Sequence, residues 1–168
     1  MKIIIPTYEY IQQILALNSR YLISHLNNEQ KEGGFIRIEY TRDNLQKIIA
    51  EKEIVIALKN NVITGYYLIG RKSEETTLDY QKNKAMFLDT RFSGIGYGCQ
   101  VCIEEAYRNN GLFGQMLRAL VDAVRHKYTH LLCSVSVENI VSMKTHLNNG
   151  WQVIEHSETT NFLLYQIQ

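Results

Sequence analysis

The chain has 168 residues, enough for one domain with a full core and no need of disulfide or metal staples. Its 45% hydrophobic and 21% charged content is ordinary for a globular protein, and 18 Lys+Arg against 17 Asp+Glu give no bulk field that would draw nucleic acid or an anionic membrane. The opening MKIIIPTYEY holds too short an apolar run for a secretory signal, and no stretch approaches the ~18–20 apolar residues of a membrane span, so the expected address is the cytoplasm.

With one proline, no low-complexity tract and no internal repeat, residues 1–168 are expected to form a single domain. Residues 3–5 predict a short strand stopped by Pro6. Thr7 offers a capping oxygen, and Ile11, Ile14, Leu15 and Leu22 recur near helical spacing. Residues 27–34 are polar and end in Gly33-Gly34, which predicts a loop. Thr41 and Asp43 can cap a second helix whose apolar stripe is Leu45, Ile48 and Ile49. Runs 54–58 and 62–69 are β-rich, and Asn60-Asn61 between them predicts a hairpin, because Asn tolerates the left-handed backbone of a tight turn. Residues 71–93 mix charges with Tyr80, Met86, Phe87 and Phe92, and suit either a helix over one end of the sheet or an irregular flap.

The second half is more regular. Residues 98–104 predict a strand and 106–111 a tight connection. Leu112, Phe113, Met116, Leu117, Leu120, Val121 and Val124 then mark a strongly amphipathic helix. Residues 131–137 alternate from Cys133 onward as a strand does. Asn139 can cap a further helix carrying Ile140, Met143 and Leu147, stopped at Asn148-Asn149-Gly150. Residues 151–154 and 162–167 close the chain as strands. Hairpins together with strand–helix–strand crossovers imply a mixed α/β (α+β) fold, a central twisted sheet of about six or seven strands flanked by about four or five helices.

Cys99 and Cys102 have a C-x-x-C spacing, but residues three apart on a strand point to opposite faces, and no second Cys/His pair completes a metal site. Reduced, half-buried thiols and no metal are expected, and Cys102 has no nearby His to make it a nucleophile.

The stretch that carries chemistry is Tyr107-Arg108-Asn109-Asn110-Gly111-Leu112-Phe113-Gly114, between a strand and a helix. The first turn of a helix has unpaired N–H groups and the positive end of the dipole, glycine lets that backbone approach a bulky phosphate, and Arg108 adds a cation. No Gly-Lys-Ser/Thr follows, and no G-x-G-x-x-G is present, so neither a P-loop nor a dinucleotide fingerprint is formed.

Arg108-x-x-Gly111 ahead of an amphipathic helix resembles the R/Q-x-x-G-x-G/A loop with which GNAT acetyltransferases hold the pyrophosphate of acetyl-CoA. Val101-Cys102-Ile103 is similar to the strand of that family that pairs with the pantetheine amides. Asn139-x-x-Ser142-x-x-x-His146-x-x-x-Gly150-Trp151 resembles its N-x-x-A/S-x-x-x-Y-x-x-x-G-F segment. The resemblance covers about residues 94–156. It departs at Phe113, where the loop has a small residue and Gly114 comes one position later, and at His146, where many members carry a tyrosine.

The resemblance implies an acetyl-CoA-dependent N-acetyltransferase with a GNAT-like fold and direct attack of an amine on the thioester. It assigns the backbone of Val101, Cys102 and Ile103 to pantetheine, and Arg108, Asn109, Asn110, Gly111, Leu112, Phe113 and Gly114 to pyrophosphate. Phe113 is expected to pack inward while its amide serves the phosphate. Asn139 contacts the pantetheine arm or caps its helix, with Ser142 one turn before His146 on the same face. His146 is the general-acid candidate, its imidazole titrating near neutrality. Gln100, Cys102 and Glu104 share one strand face, which makes Glu104 the general-base candidate, with Glu105 and Tyr97 nearby.

The acceptor is a small-molecule or peptide amine, selected by the variable segments 24–40 and 71–93, where Tyr80, Phe87 and Phe92 either wall the acceptor pocket or only anchor a flap. Members of the superfamily often form homodimers. Two other readings stand beside this one: a non-catalytic acyl-CoA-binding or sensing module on the same fold, and a protein using the Arg108–Gly114 loop for another nucleotide.

Overall fold

The computed structural model of the chain describes residues 1–70 and 94–168. The expected helix or flap over 71–93, with Tyr80, Phe87 and Phe92, lies outside the described residues. Before that segment come β1 (Lys2–Ile4), α1 (Ile11–Tyr21), α2 (Asn28–Glu32), α3 (Arg42–Ala50), β2 (Ile54–Lys59) and β3 (Val62–Ile69). After it come β4 (Ile95–Tyr97), β5 (Cys99–Ile103), α4 (Leu112–Val124), β6 (His130–Ser136), α5 (Ile140–Asn148), β7 (Gln152–His156) and β8 (Thr160–Gln166). No helix among these residues is long and apolar enough to cross a membrane.

Local chemistry explains most boundaries. Asn60 and Asn61 both take left-handed φ, 51° and 62°, and close the β2–β3 hairpin as a two-residue turn whose twist matches the strands. Thr41 caps α3 through a reciprocal capping box with Asn44. The polar stretch expected to be a loop folds instead into α2, because Asn27 and Gln30 form a second capping box. Thr7 does not cap a helix: its hydroxyl donates to the Glu9 carboxylate at 2.7 Å, ahead of a 3-10 turn at Tyr8–Tyr10.

The strands lie in two four-stranded sheets, ordered β1-β2-β3-β5 and β4-β6-β8-β7, rather than in one sheet of six or seven. The first is antiparallel throughout, and the second is mixed, with β4 parallel to β6. The division is made at one residue. Gly98 takes a left-handed φ of 71° between β4, which the sequence pattern did not mark, and β5, which is the strand expected over 98–104, and the two pair in different sheets.

Both faces of the first sheet are covered, which is why β2 reads as a continuous apolar run. Ile54, Ile56 and Leu58 join Ile11, Ile14, Leu45 and Ile48 from α1 and α3 on one face. Val55 and Ala57 meet Met116, Leu120 and Val124 of α4 on the other, together with Leu131 and Cys133 of the second sheet. Full burial of each such aliphatic side chain stabilises the fold by roughly 1.5–3 kcal/mol, and α4 thereby locks the sheets to each other.

Helix α5 is rotated from its expected phase. Ile140 and Leu147 are 59% and 46% exposed, and His146 is the buried residue of the helix. Two anchors set that rotation. Asn139 caps the first turn and donates to the Phe35 carbonyl at 2.7 Å. At the other end, Trp151 and Gly150 donate to the His146 and Leu147 carbonyls in a Schellman motif, with Gly150 at φ 87°.

Replacing Gly98 forces a side chain into left-handed backbone, so Gly98→Ala should destabilise the protein by about 1–2 kcal/mol, read as a lower urea midpoint with an unchanged slope. A midpoint equal to wild type would show that the kink carries no strain.

Candidate active site

A cleft opens where β5 and β6 diverge. Two hydrogen bonds set the phase of β5: the Glu104 amide donates to Thr64 at 2.9 Å, and the Gly70 amide donates to Gly98 at 3.0 Å. With Val101 opposite Tyr67 and Ile103 opposite Gly65, antiparallel alternation turns the backbone groups of Gln100 and Cys102 toward β3. Those of Val101 and Ile103 turn outward, into the cleft. The Ile103 carbonyl is taken by Arg108 Nε at 2.8 Å. The Val101 amide and carbonyl are left as an open strand edge. Of the three strand residues named from the sequence, Cys102 therefore has its backbone committed to the sheet.

The loop after β5 faces the same cleft. Asn109 and Gly111 take left-handed φ, 60° and 71°, and Gly111 occupies the capping position of α4 without a side-chain cap. Among the described residues the amides of 109–114 have no hydrogen-bond acceptor. A Cβ on Gly111 would meet nothing within 4 Å, whereas one on Gly114 would come 2.6 Å from Asn149 Oδ1 at the end of α5. Phe113 packs inward, with its ring centroid 5.3 Å from Tyr67 and 4.9 Å from His146, while its amide stays at the cleft. The compartment bounded by this loop, β5 and α5 measures about 520 Å³. A row of unsatisfied N–H groups at a helix N-terminus is an anion site without further side-chain help.

Arg108 does not stand free beside that loop. Its guanidinium donates to the Gly33 carbonyl at 2.6 Å as well as to Ile103, and lies 4.8 Å from the centre of the Tyr21 ring. It is a clamp that also leaves positive charge on the cleft wall. Glu104, expected as general base, does not line the cleft: its carboxylate is ion-paired with Arg20 and accepts from the Tyr21 hydroxyl at 2.9 Å. Glu105 does line it, and Tyr97 does not.

His146 lines the cleft but is only 3% exposed, wedged edge-on between Phe113 and Trp151. Burial holds its imidazole down at about 4, against the ordinary 6.5, and the hydrogen bond to Ser142 only partly opposes this. Its Nδ1 lies 2.7 Å from the Ser142 carbonyl, which can only accept, so Nδ1 carries the proton and the ring is neutral. The expected imidazolium acid is thus not populated near neutrality. Ser142 Oγ, 3.3 Å from the same Nδ1, can only accept there, which leaves its own hydroxyl hydrogen free for the cleft. Asn139 caps α5 and holds Phe35, so its amide is largely committed to structure.

Residues 33–37 form a strap across the cleft. Gly33 is held by Arg108, Phe35 by Asn139, and Arg37 donates to Ser134 Oγ at 3.3 Å. Beyond it lies a second compartment of about 270 Å³ that shares Phe35, Ile36, Val101, Asn139, Ser142 and His146 with the first. Sequence reasoning missed Tyr21, Phe35 and Arg37 as individual residues, since no motif marks a strap. The three cysteines are fully buried rather than half-buried, and burial pushes the Cys102 thiol up to about 12. Among the described residues no group of His, Cys, Asp or Glu is arranged to hold a metal.

No family model matches the sequence, and no curated protein matches it either. Solved structures match over the whole chain. The PaiA N-acetyltransferase of Thermoplasma acidophilum, in complex with coenzyme A, matches at TM-score 0.68 and 11% identity, covering 98% of each chain. The yncA protein of Salmonella typhimurium, with its cofactor acetyl-CoA, matches at 0.64 and 16%, covering 100% of this chain and 94% of its own. An acetyltransferase of the GNAT family from Streptococcus pneumoniae matches at 0.64 and 16%, covering 99% of each. The chain has the GNAT acetyltransferase fold.

The His146 arrangement predicts a pH dependence of stability. Below pH 6.5 the unfolded chain takes up a proton that the folded site refuses until about 4, so stability falls as pH drops through that window. The full loss attributable to His146 is about 3 kcal/mol. Denaturant titrations of wild type and His146→Phe at pH 7, 5.5 and 4.5 should show the variant losing less stability; parallel losses would place the imidazole in solvent.

Proposed function

We propose that the protein is an N-acetyltransferase that passes the acetyl group of acetyl-CoA directly to a primary amine. The observation that carries this reading is the meeting, in one cleft, of two sets of backbone groups that have no partner among the described residues. The amides of 109–114 suit a pyrophosphate, and the open Val101 edge suits an extended arm bearing amides. The likeness to acetyltransferases of the same fold, two of them described with acetyl-CoA or CoA, supports it.

Acetyl-CoA supplies an acyl group already activated as a thioester. The chain's residues then bind and orient. Amides 109–114 and the α4 dipole hold the phosphates, with Arg108 adding charge from behind. The Val101 amide and carbonyl extend the first sheet by one strand. Phe35 and Ile36 cover the junction of the two compartments and exclude water from it. At that junction Ser142 Oγ holds a hydrogen free for donation, backed by His146. No covalent enzyme intermediate is needed, and the buried, protonated thiols could not form one. A neutral amine is a sufficient nucleophile for a thioester, so positioning dominates the catalysis.

One observation favours a second reading, that of an acyl-CoA sensor. Both groups first nominated for proton transfer are engaged elsewhere, Glu104 by Arg20 and His146 by Ser142.

Calorimetric titration with acetyl-CoA, with CoA, ATP and NAD as controls, should give a Kd on the order of micromolar for acetyl-CoA. Gly111→Val, straining a residue at φ 71°, should weaken it at least tenfold. Ser142→Ala should lower kcat roughly 10- to 100-fold at unchanged acetyl-CoA affinity. Absence of binding would sink the reading; tight binding with no transfer to any amine would favour the sensor.

A further inference from the structure

The second compartment has a chemical character of its own. It lies on the far side of the strap and joins the first at Ser142 and His146. Its volume of about 270 Å³ falls just below the ~300–1,000 Å³ of sites for drug-sized ligands, so it suits one small molecule.

Among the described residues its walls hold one formally charged side chain, Arg37, and no carboxylate. Ser134 and Ser136 add hydroxyls from β6. The Arg37 guanidinium is exposed and has no ion-pair partner among the described residues; its one hydrogen bond there is to Ser134 Oγ at 3.3 Å. Four of its five N–H donors remain available, in the planar fork that fits a carboxylate.

Resting on the acetyltransferase reading, we infer that this compartment receives the acceptor and that Arg37, steadied by Ser134, selects an amine that also bears a carboxylate, a free amino acid. Among the described lining residues a polycationic amine would meet a guanidinium and no counter-charge. An amino acid brings its own negative charge to Arg37 and leaves its amine for the junction at Ser142. The Arg37 guanidinium, with no carboxylate beside it among the described lining residues, also disfavours the ammonium form, and so raises the share of nucleophilic amine. The transfer balances without a further reagent. The C–N bond forms, the C–S bond breaks, and the proton lost by nitrogen ends on the departing sulfur. Arg37 acts on specificity and takes no part in the bond changes.

The test measures CoA release at saturating acetyl-CoA, with the common amino acids, their decarboxylated amines and spermidine as acceptors. Wild type should acylate at least one amino acid with kcat/KM ten or more times that of its decarboxylated amine. Arg37→Gln should raise KM for that amino acid at least tenfold and reduce its preference over the decarboxylated amine, and Arg37→Lys should restore part of the loss. Preference for spermidine or simple amines, no acylation of any amino acid by protein that binds acetyl-CoA, or an Arg37→Gln variant with unaltered preference would overturn the inference alone. Failure to bind acetyl-CoA would overturn the transferase reading, and this one with it.

Discussion

A strand in a sheet satisfies its backbone on both sides, and a chain that parts two strands must find other partners for the groups it bares. Here β5 and β6 part at Gly98, whose left-handed backbone sends β4 into one sheet and β5 into the other. Everything that makes the cleft follows from that separation. Val101 is left with an open edge because, among the described residues, no strand succeeds β5 in its sheet. Helices α4 and α5 begin at the carboxyl ends of β5 and β6, so both N-termini arrive at the mouth of the gap. One is capped by Asn139 and is quiet; the other starts at Gly111, has no side-chain cap, and presents its amides.

Holding two sheets apart requires ties, and the charged and amide side chains near the cleft serve largely as such. Arg108 joins the end of β5 to Gly33, Asn139 joins the start of α5 to Phe35, and Arg37 reaches Ser134 on β6. Tyr21 supports the first tie from below, through its ring on Arg108 and its hydroxyl on Glu104. The strap made in this way divides one groove into a larger compartment with bare amides and a smaller one whose described walls carry a single cation.

The electrostatic consequence is a site with few titrating groups at its centre. His146 sits between two aromatic rings and stays neutral because its charged form would lose hydration that the Ser142 carbonyl only partly replaces. Chemistry that depends on alignment and on hydrogen-bond donors suits such a place better than chemistry that depends on a strong acid or base.

Where a signal was local, the sequence alone determined the outcome. The Asn60-Asn61 turn, the Thr41 cap, the stripe of α4, the Gly150 stop and the position of the Arg108–Gly114 loop ahead of a helix are each dictated within a few residues by backbone sterics and hydrogen-bond satisfaction. The tertiary structure decided what those pieces face. Gly98 looked like the first residue of a strand, because its role depends on which sheet captures the strand on either side of it. Leu147 looked like core and His146 like an acid, because the rotation of α5 is set by Phe35 and Trp151, partners distant or not yet placed along the chain. Glu104 looked available until Arg20 and Tyr21, more than 80 positions away, were brought against it. Burial and pairing are properties of contacts between remote segments, and those contacts exist only once the two sheets have closed on α4.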